Sequence, residues 1–262
     1  MMQFIINILR EKNMSTIDVD SHARLAAHEK MIQKKKMIAG VFKEFYDICA
    51  ASNAKYFSGS GKVLEIGSGV GQIKKYYPDV ITSEVIESPI VDMVIDATKM
   101  DIKDGSLRAV YGLNCFHHIS DPRSFFKECE RVLHKGGGVV LIDPYYGLLA
   151  NSFYKKAFPT EFFDKNQKSW STDSGVMLDA NQALSYVVFV RDRAIFEKEF
   201  PGMEIVETRV LNNYIRYVFS GGLNFKQLIP NIFTPILKIV EILMIPLRNV
   251  LGLHHVIVIK KK

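Results

Sequence analysis

The chain has 262 residues, is 48% hydrophobic and carries a formal net charge of +6. That length suits one α/β domain with an elaboration, or at most two small domains, and the apolar content excludes an intrinsically disordered chain. The basic excess lies partly in Lys34-Lys35-Lys36 and Lys260-Lys261-Lys262; without an interleaved aromatic stripe these runs predict solvated ends and no nucleic acid partner.

Cys49, Cys115 and Cys129 are widely separated and form no C-x-x-C. That argues against a disulfide framework or a structural zinc, so no metal is expected, and it predicts a reducing, cytoplasmic setting. The opening residues 1–9 are apolar but lack a basic n-region and a small-residue cleavage site, so no signal peptide is expected, and Met14 is an alternative start. No uncharged apolar stretch is long enough to span a bilayer.

Residues 21–51 carry Leu25, Met31, Ile32, Ile38, Val41, Phe42 and Phe45 at three- and four-residue spacings, which predicts one or two helices. Residues 1–57 are read as a helical N-terminal extension. Ser58-Gly59-Ser60-Gly61 is a joint leading into the main domain, residues 58–262. An apolar strand is predicted over residues 62–66, followed by Gly67-Ser68-Gly69-Val70-Gly71 and a helix beginning over 72–77. Strand, glycine turn and helix form the nucleotide-binding corner of a doubly wound sheet. Glycine lacks a Cβ, so it takes positive φ and admits a ligand close to the backbone.

The glycine spacing selects the ligand. A dinucleotide fingerprint, G-x-G-x-x-G, would place its third glycine where Gln72 stands. Glu65, two residues before the first glycine, would repel a pyrophosphate and attract a cation. The implied ligand therefore carries an ammonium or sulfonium rather than paired phosphates.

A second strand is predicted over 79–85. It ends near Glu84, close to the spacing at which a carboxylate takes vicinal ribose hydroxyls. A third strand over 91–95 ends in Asp96-Ala97, where a side-chain acceptor can take an exocyclic amine and can equally cap a helix. A polar turn over 101–106 precedes a fourth strand, Leu107–Leu113, followed by Asn114-Cys115-Phe116-His117-His118-Ile119. Asp121-Pro122 is a helix start. The helix over 123–133 shows Phe125, Phe126, Cys129, Val132 and Leu133 on one face, and His134-Lys135-Gly136-Gly137-Gly138 reads as its cationic last turn and glycine stop. The fifth strand, over 139–142, is wholly apolar, as a buried parallel strand should be, and Asp143, Tyr145 and Tyr146 follow it.

These residues resemble the cofactor half of a class I S-adenosylmethionine-dependent methyltransferase of the type-11 kind. The likeness is carried by Glu65-Ile66-Gly67-Ser68-Gly69-Val70-Gly71, Asp96-Ala97, Asn114 with His117-His118-Ile119, and Arg131-Val132-Leu133-His134-Lys135-Gly136-Gly137. It implies an α/β fold: a doubly wound, mostly parallel seven-stranded sheet with helical N-terminal and C-terminal elaborations. It implies S-adenosyl-L-methionine as cofactor, with S-adenosyl-L-homocysteine as product. The implied cofactor residues are Glu65, Gly67, Ser68, Gly69 and Gly71 at the aminoacyl end, Glu84 at the ribose, Asp96 with Ala97 at the adenine, and Asn114. One departure is the short Val85-Ile86-Glu87-Ser88-Pro89 run after Glu84, which leaves little room for a helix before the third strand.

Methyl transfer is an in-line displacement, so the protein must chiefly align a nucleophile and exclude water. Where a base is needed, His118 and His117 are the candidates, with Asp143, Tyr145 and Tyr146 nearby.

Residues 144–190 are predicted to be an irregular substrate lid over the site, rich in Phe153, Tyr154, Phe158, Phe162, Phe163 and Trp170. Asp179-Ala180-Asn181-Gln182-Ala183-Leu184, Phe189-Val190-Arg191-Asp192-Arg193 and Phe219-Ser220-Gly221-Gly222 resemble a subgroup associated with bacterial polysaccharide and lipid-linked glycan gene neighbourhoods. A helix over 191–200, a strand over 204–210, and a further strand or edge over 214–219 are expected. Residues 223–253 form an apolar helical insertion. Its stretch from 225 interrupts the apolar pattern with Lys226, Lys238, Glu241 and Arg248, the last three near one stripe, and with Pro230, Pro235 and Pro246. Internal charges and prolines argue against a span. Burial against the domain or a dimer partner, and contact with the inner membrane face, are the two readings, burial being favoured. The last strand, over 256–259, is expected to be antiparallel.

The predicted function is methyl transfer from S-adenosylmethionine to an oxygen or nitrogen of a small-molecule or lipid-linked glycan acceptor. Two rivals are a nicotinamide- or nucleotide-sugar-binding oxidoreductase, against which Gln72 speaks, and a non-enzymatic membrane-associated scaffold.

Overall fold

Strand β1 (Lys62–Ile66) lies third from one edge of the seven-stranded sheet that organises the computed structural model. The structure describes residues 8–11, 22–157, 161–171 and 180–262; the expectations placed on residues 1–7, Met14, Ser21, Phe158 and Asp179 fall outside them. The remaining strands are β2 (Ile81–Glu84), β3 (Met93–Val94), β4 (Leu107–Leu113), β5 (Leu133–Pro144), β6 (Met203–Val210) and β7 (His254–Lys261), in the order β3-β2-β1-β4-β5-β7-β6. Strands β1 to β5 pair in parallel, whereas β7 runs antiparallel to both β5 and β6. The expected doubly wound α/β fold is observed, including the antiparallel last strand. The sheet winds outward from β1 to β2 on one side and to β4 on the other, so a crevice opens beyond the carboxyl ends of β1 and β4.

Alternation along the central strands explains why the sheet is covered on both faces. Leu107, Val110, Val139, Leu141, Ile257 and Ile259 face one layer. There helix α3 (Pro122–Val132) and the 184–200 segment contribute Phe125, Phe126, Phe189 and Phe196. Ala109, Tyr111, Val140, Ile142, Val256 and Val258 face the other, covered by Ile38, Val41, Phe45 and Cys49 of helix α2 (Lys36–Tyr56). Helix α1 (His22–Lys34) precedes α2. Asp121 caps α3 as expected: its Oδ1 accepts hydrogen bonds from the Arg123 and Ser124 amides at 3.1 and 3.3 Å, with Pro122 in the first turn.

Several expectations are corrected. The helix over 72–77 is only a 3-10 turn, Gln72–Lys75; Pro78 disfavours helical geometry at Tyr77 and stops propagation. His134 to Gly138 is no helix end: β5 begins at Leu133, and its pairing with β4 skips from Leu107↔Leu133 to Ala109↔Gly138, so these residues form a bulge. The third strand shrinks to Met93–Val94. Residues 214–219 are not a strand but helix α6 (Tyr214–Ser220), following α5 (Arg193–Glu199) and β6. The 144–190 segment is less irregular than expected. It contains helix α4 (Leu148–Ala157), a bridge between Phe162 and Asn181, and a π-helical turn, Val187–Arg191. Trp170 is buried there, its Nε1 donating to Asp192 Oδ2 at 2.8 Å and the Arg123 guanidinium lying over its ring.

The apolar insertion carries the largest surprise. Its central helix, α7 (Thr234–Leu243), turns Glu241 and Leu237 inward, while Lys238 of the same stripe stays half exposed. Glu241 is 2% exposed, whereas Ile232 before the helix is 79% exposed and Leu243 74%, with Ile236, Ile239 and Ile242 also open to solvent. Burial of the apolar face, the favoured reading, is therefore not what this chain does on its own. The anchor is ionic. Arg216 donates to Glu241 Oε2 through Nε at 2.5 Å and to Glu44 through its two terminal nitrogens at 2.7 and 2.6 Å, and Lys238 reaches Glu44 at 3.2 Å. Removing one partner of a buried pair leaves an uncompensated charge. Arg216→Met is therefore expected to lower unfolding stability in urea by about 3–5 kcal/mol. The double variant with Glu241→Leu should recover most of that loss, and a double variant no better than the single would show that the pair is not the anchor.

Candidate functional site

A cavity of about 430 Å³ opens at the carboxyl ends of β1, β2 and β4. The structure brings Glu65, Gly67, Ser68, Gly69, Glu84, Asp96, Ala97, Asn114, His117 and His118 together along its wall. Gly71 does not line it. With φ of +62°, Gly71 instead enters the 3-10 turn, and a Cβ there would meet the Ile90 carbonyl oxygen at 2.7 Å.

The glycine turn follows β1 because the chain must reverse without side chains. Gly67 has φ of +59°, and a Cβ would strike Cys115 Cβ at 2.8 Å, whereas Gly69, at φ +55°, faces open space. The turn is tied to β2: the Ser68 amide donates to the Ser83 carbonyl at 2.9 Å, and the Ser83 hydroxyl donates to the Glu65 carbonyl at 2.9 Å. Glu84 closes the link, its Oε1 accepting from the Gly69 amide. Burial raises the Glu84 carboxyl above its ordinary range, with the Gly69 and Val85 amides pulling the other way.

Glu65 lies on the buried end of β1, 1% exposed, and its Oε2 is buried with no hydrogen-bond partner among the described residues. Burial pushes its carboxyl up to about 8; a hydrogen bond from Ser68 offsets this only in part, and the Glu84 charge adds to it. Such a group is an acid held neutral until a cation arrives.

Asp96 Oδ1 accepts from the Thr98 amide at 2.8 Å and the Thr98 hydroxyl at 2.7 Å. The helix-cap reading of that residue is corrected: no helix follows before β4 among the described residues, and Asp96 instead closes a turn through Thr98. Asn114 takes φ of +50°, a strained value for a residue with a side chain; its amide donates to the Ile142 carbonyl at 2.8 Å, and its Oδ1 is buried with no partner among the described residues.

His117 and His118 sit in a 3-10 turn, Phe116–His118, immediately beyond β4. The His117 ring lies 2.8 Å from Asp143 Oδ1 through Nδ1, and its Nε2 is 3.7 Å from Glu161 Oε2. Burial opposes a charge on His117, but the Asp143 carboxylate, helped by Glu161, outweighs it and raises the imidazole pKa. His118 is the opposite case: burial and the neighbouring His117 hold it well below the usual histidine range, and its Nδ1 has no partner among the described residues. The two rings are 4.2 Å apart. His117, His118 and Glu161 each present a ligand atom within 4.8 Å of the others, so the same corner could hold a cation. Asp143 stands behind His117, away from the cavity lining, as do Tyr145 and Tyr146.

Reading the sequence named Tyr154 and Gln182 only as part of the 144–190 lid and missed Glu161 and His254; all four are on the cavity wall. Gln182 Nε2 donates to Glu161 Oε2, and the Tyr154 hydroxyl donates to the Leu253 carbonyl at 2.7 Å. His254-His255 was the available signal, a polar pair opening an apolar edge. Nothing local marks Glu161.

Residues 64–141 match the model of the methyltransferase domain family. Among solved structures, one match comes from the Haloferax volcanii complex between the Trm112 methyltransferase activator and a protein described as a methyltransferase. It is 13% identical with a TM-score of 0.50, covering 91% of this chain and 94% of that one. A SAM-dependent methyltransferase from Thermotoga maritima is 15% identical, covering 89% and 99%, with a TM-score of 0.47. Another from Archaeoglobus fulgidus is 14% identical, covering 84% and 94%, with a TM-score of 0.45. At 13% identity the Haloferax volcanii likeness is one of fold alone.

Proposed function

We propose that this chain, a class I S-adenosylmethionine-dependent methyltransferase by its domain match and its sheet, methylates an oxygen or nitrogen of a small-molecule or lipid-linked glycan acceptor. The observation that carries the reading is Glu65: a buried carboxyl with an orphaned oxygen, beside a glycine turn open at Gly69. That donor set fits a ligand bearing an ammonium, and a Glu65 carboxylate would repel a pyrophosphate at the glycine turn, which weighs against the dinucleotide alternative; Arg10 and Arg24 also line the cavity. S-adenosylmethionine, when bound, supplies a methyl group already activated by its sulfonium.

In this reading Glu65 and the Gly67–Gly69 turn take the aminoacyl end, Glu84 the ribose hydroxyls, and Asp96 with Ala97 the adenine; Asn114 Oδ1 offers one more acceptor. His117 is the base in preference to His118. Asp143 fixes its Nδ1–H, leaving Nε2 as the lone-pair nitrogen on the cavity side, whereas burial makes His118 a poor proton acceptor. The acceptor proton would pass to Nε2, with Glu161 stabilising the imidazolium.

The exposed apolar face of α7 supports a peripheral position at a membrane. Among the described residues no helix is long and apolar enough to cross one. A tritiated-methyl transfer assay on fractionated lysate tests the acceptor. Label in the organic-extractable lipid-linked fraction is expected, and label confined to polar metabolites would restrict the reading to small molecules.

A further inference from the structure

Beside the site lies a second chamber of about 260 Å³, lined among the described residues chiefly by Leu149, Phe153, Val218, Leu223, Phe225 and Leu228. It shares Ala157, Tyr217, Leu223 and Asn224 with the wall of the cofactor cavity. The two spaces therefore adjoin across one set of side chains. At its other side stands Leu228, 45% exposed, at the start of the segment whose Ile232, Phe233, Ile236 and Ile239 face solvent. An apolar chamber thus lies next to the reaction cavity and shares Leu228 with the segment that carries the apolar outer face.

We infer that this chamber holds the hydrocarbon chain of a membrane-resident acceptor while the acceptor's polar end enters the cavity beside His117. The inference rests on the methyltransferase reading for what happens at that polar end. Three observations fix the occupant as a chain rather than a compact ligand. The lining is hydrocarbon and aromatic, which suits a ligand with nothing to hydrogen-bond. The chamber adjoins the site across Ala157, Tyr217, Leu223 and Asn224, so a chain lodged in it would end at the wall of the reaction cavity. The exposed isoleucines of α7 would lie in the acyl region of a bilayer, so a chain could pass from lipid into protein without crossing water. Charge agrees: Lys156 and Lys226 line the chamber's rim, where anionic headgroups would sit.

The test uses the full chain and a fluorescent probe, dansyl-undecanoic acid, competed with farnesol. Saturable binding displaced by farnesol is expected. Ser152→Trp, at an exposed position on α4 that lines the chamber, and Val218→Phe, inside it, should each weaken the probe by about tenfold or more. A retained rise in melting temperature with S-adenosylhomocysteine would show that each variant is folded. Equal affinity in wild type and both variants would overturn the chamber, as would loss of binding only when Ile236 and Ile239 are changed to serine, since the probe would then merely coat the surface. If the probe behaves as expected but S-adenosylhomocysteine does not bind, the chain site stands and the methyl-transfer reading falls.

Discussion

Glu65→Gln is expected to weaken S-adenosylhomocysteine binding about 100-fold or more at about pH 8.5, and to erase its pH dependence. The Glu65 carboxyl is held up to about 8 in the empty pocket by burial, against an ordinary 4.5 when unfolded. Ionising it at about pH 7 costs about 1.4 kcal/mol, because the group lies about one unit above that pH. Pairing with the ligand ammonium has to overcome that cost, so binding below about pH 8 releases a proton. Affinity should rise towards tenfold per pH unit up to about pH 8 and then level off. The same sign governs stability without ligand. Between the unfolded value and about 8 the folded chain binds one more proton than the unfolded chain, so its stability falls as pH rises through that window. Glu65→Gln should remove this slope and make the ligand-free protein the more stable form at high pH, while binding worse. Calorimetric titration and urea unfolding over about pH 5–9 read both effects. A variant that binds as wild type would remove Glu65 from the site.

His117→Ala is expected to lower kcat about 10²–10⁴-fold, with a much smaller change in donor affinity. His117 must be neutral to accept a proton, and the Asp143 carboxylate raises its pKa above the usual 6.5. The rate should therefore rise with pH through an apparent pKa above that value. Asp143→Asn removes the charge that raises it, so the limb should move to lower pH while kcat falls, because the imidazole loses the partner that fixes Nδ1–H. Stability carries the matching sign: the His117 contribution is present below its unfolded pKa and lost as pH rises through the higher folded one. A His118→Ala variant should lose far less, since burial disfavours its protonated form. If His118→Ala proved the more damaging, the two roles would be exchanged.

Much of the cofactor half was legible because its signals are local. The glycine turn, strand β4 to its end residues, and the Asp121 cap each follow from short-range sterics and hydrogen bonding. Apart from the 72–77 helix, stopped locally by Pro78, the larger errors come from partners distant in sequence. Residues 214–219, expected as a further strand or edge, are rich in the β-branched and aromatic residues that favour strands. They are helical because Arg216 turns inward to Glu44 and Glu241, from two other elements. The α7 pattern was read as amphipathic with a charged stripe, but which stripe faces the domain is decided by those same charges. Glu161 reaches His117 from a segment 44 residues away in sequence, and no spacing announces it.

The central claim is that the cavity beside residues 65–71 takes a cationic thioether-derived donor. Calorimetric titration of the wild-type chain with S-adenosylhomocysteine and, in parallel, with NAD tests it most directly. One-to-one binding of S-adenosylhomocysteine with no heat from NAD is the expected result; silence with the first ligand, or saturation by the second, would contradict it.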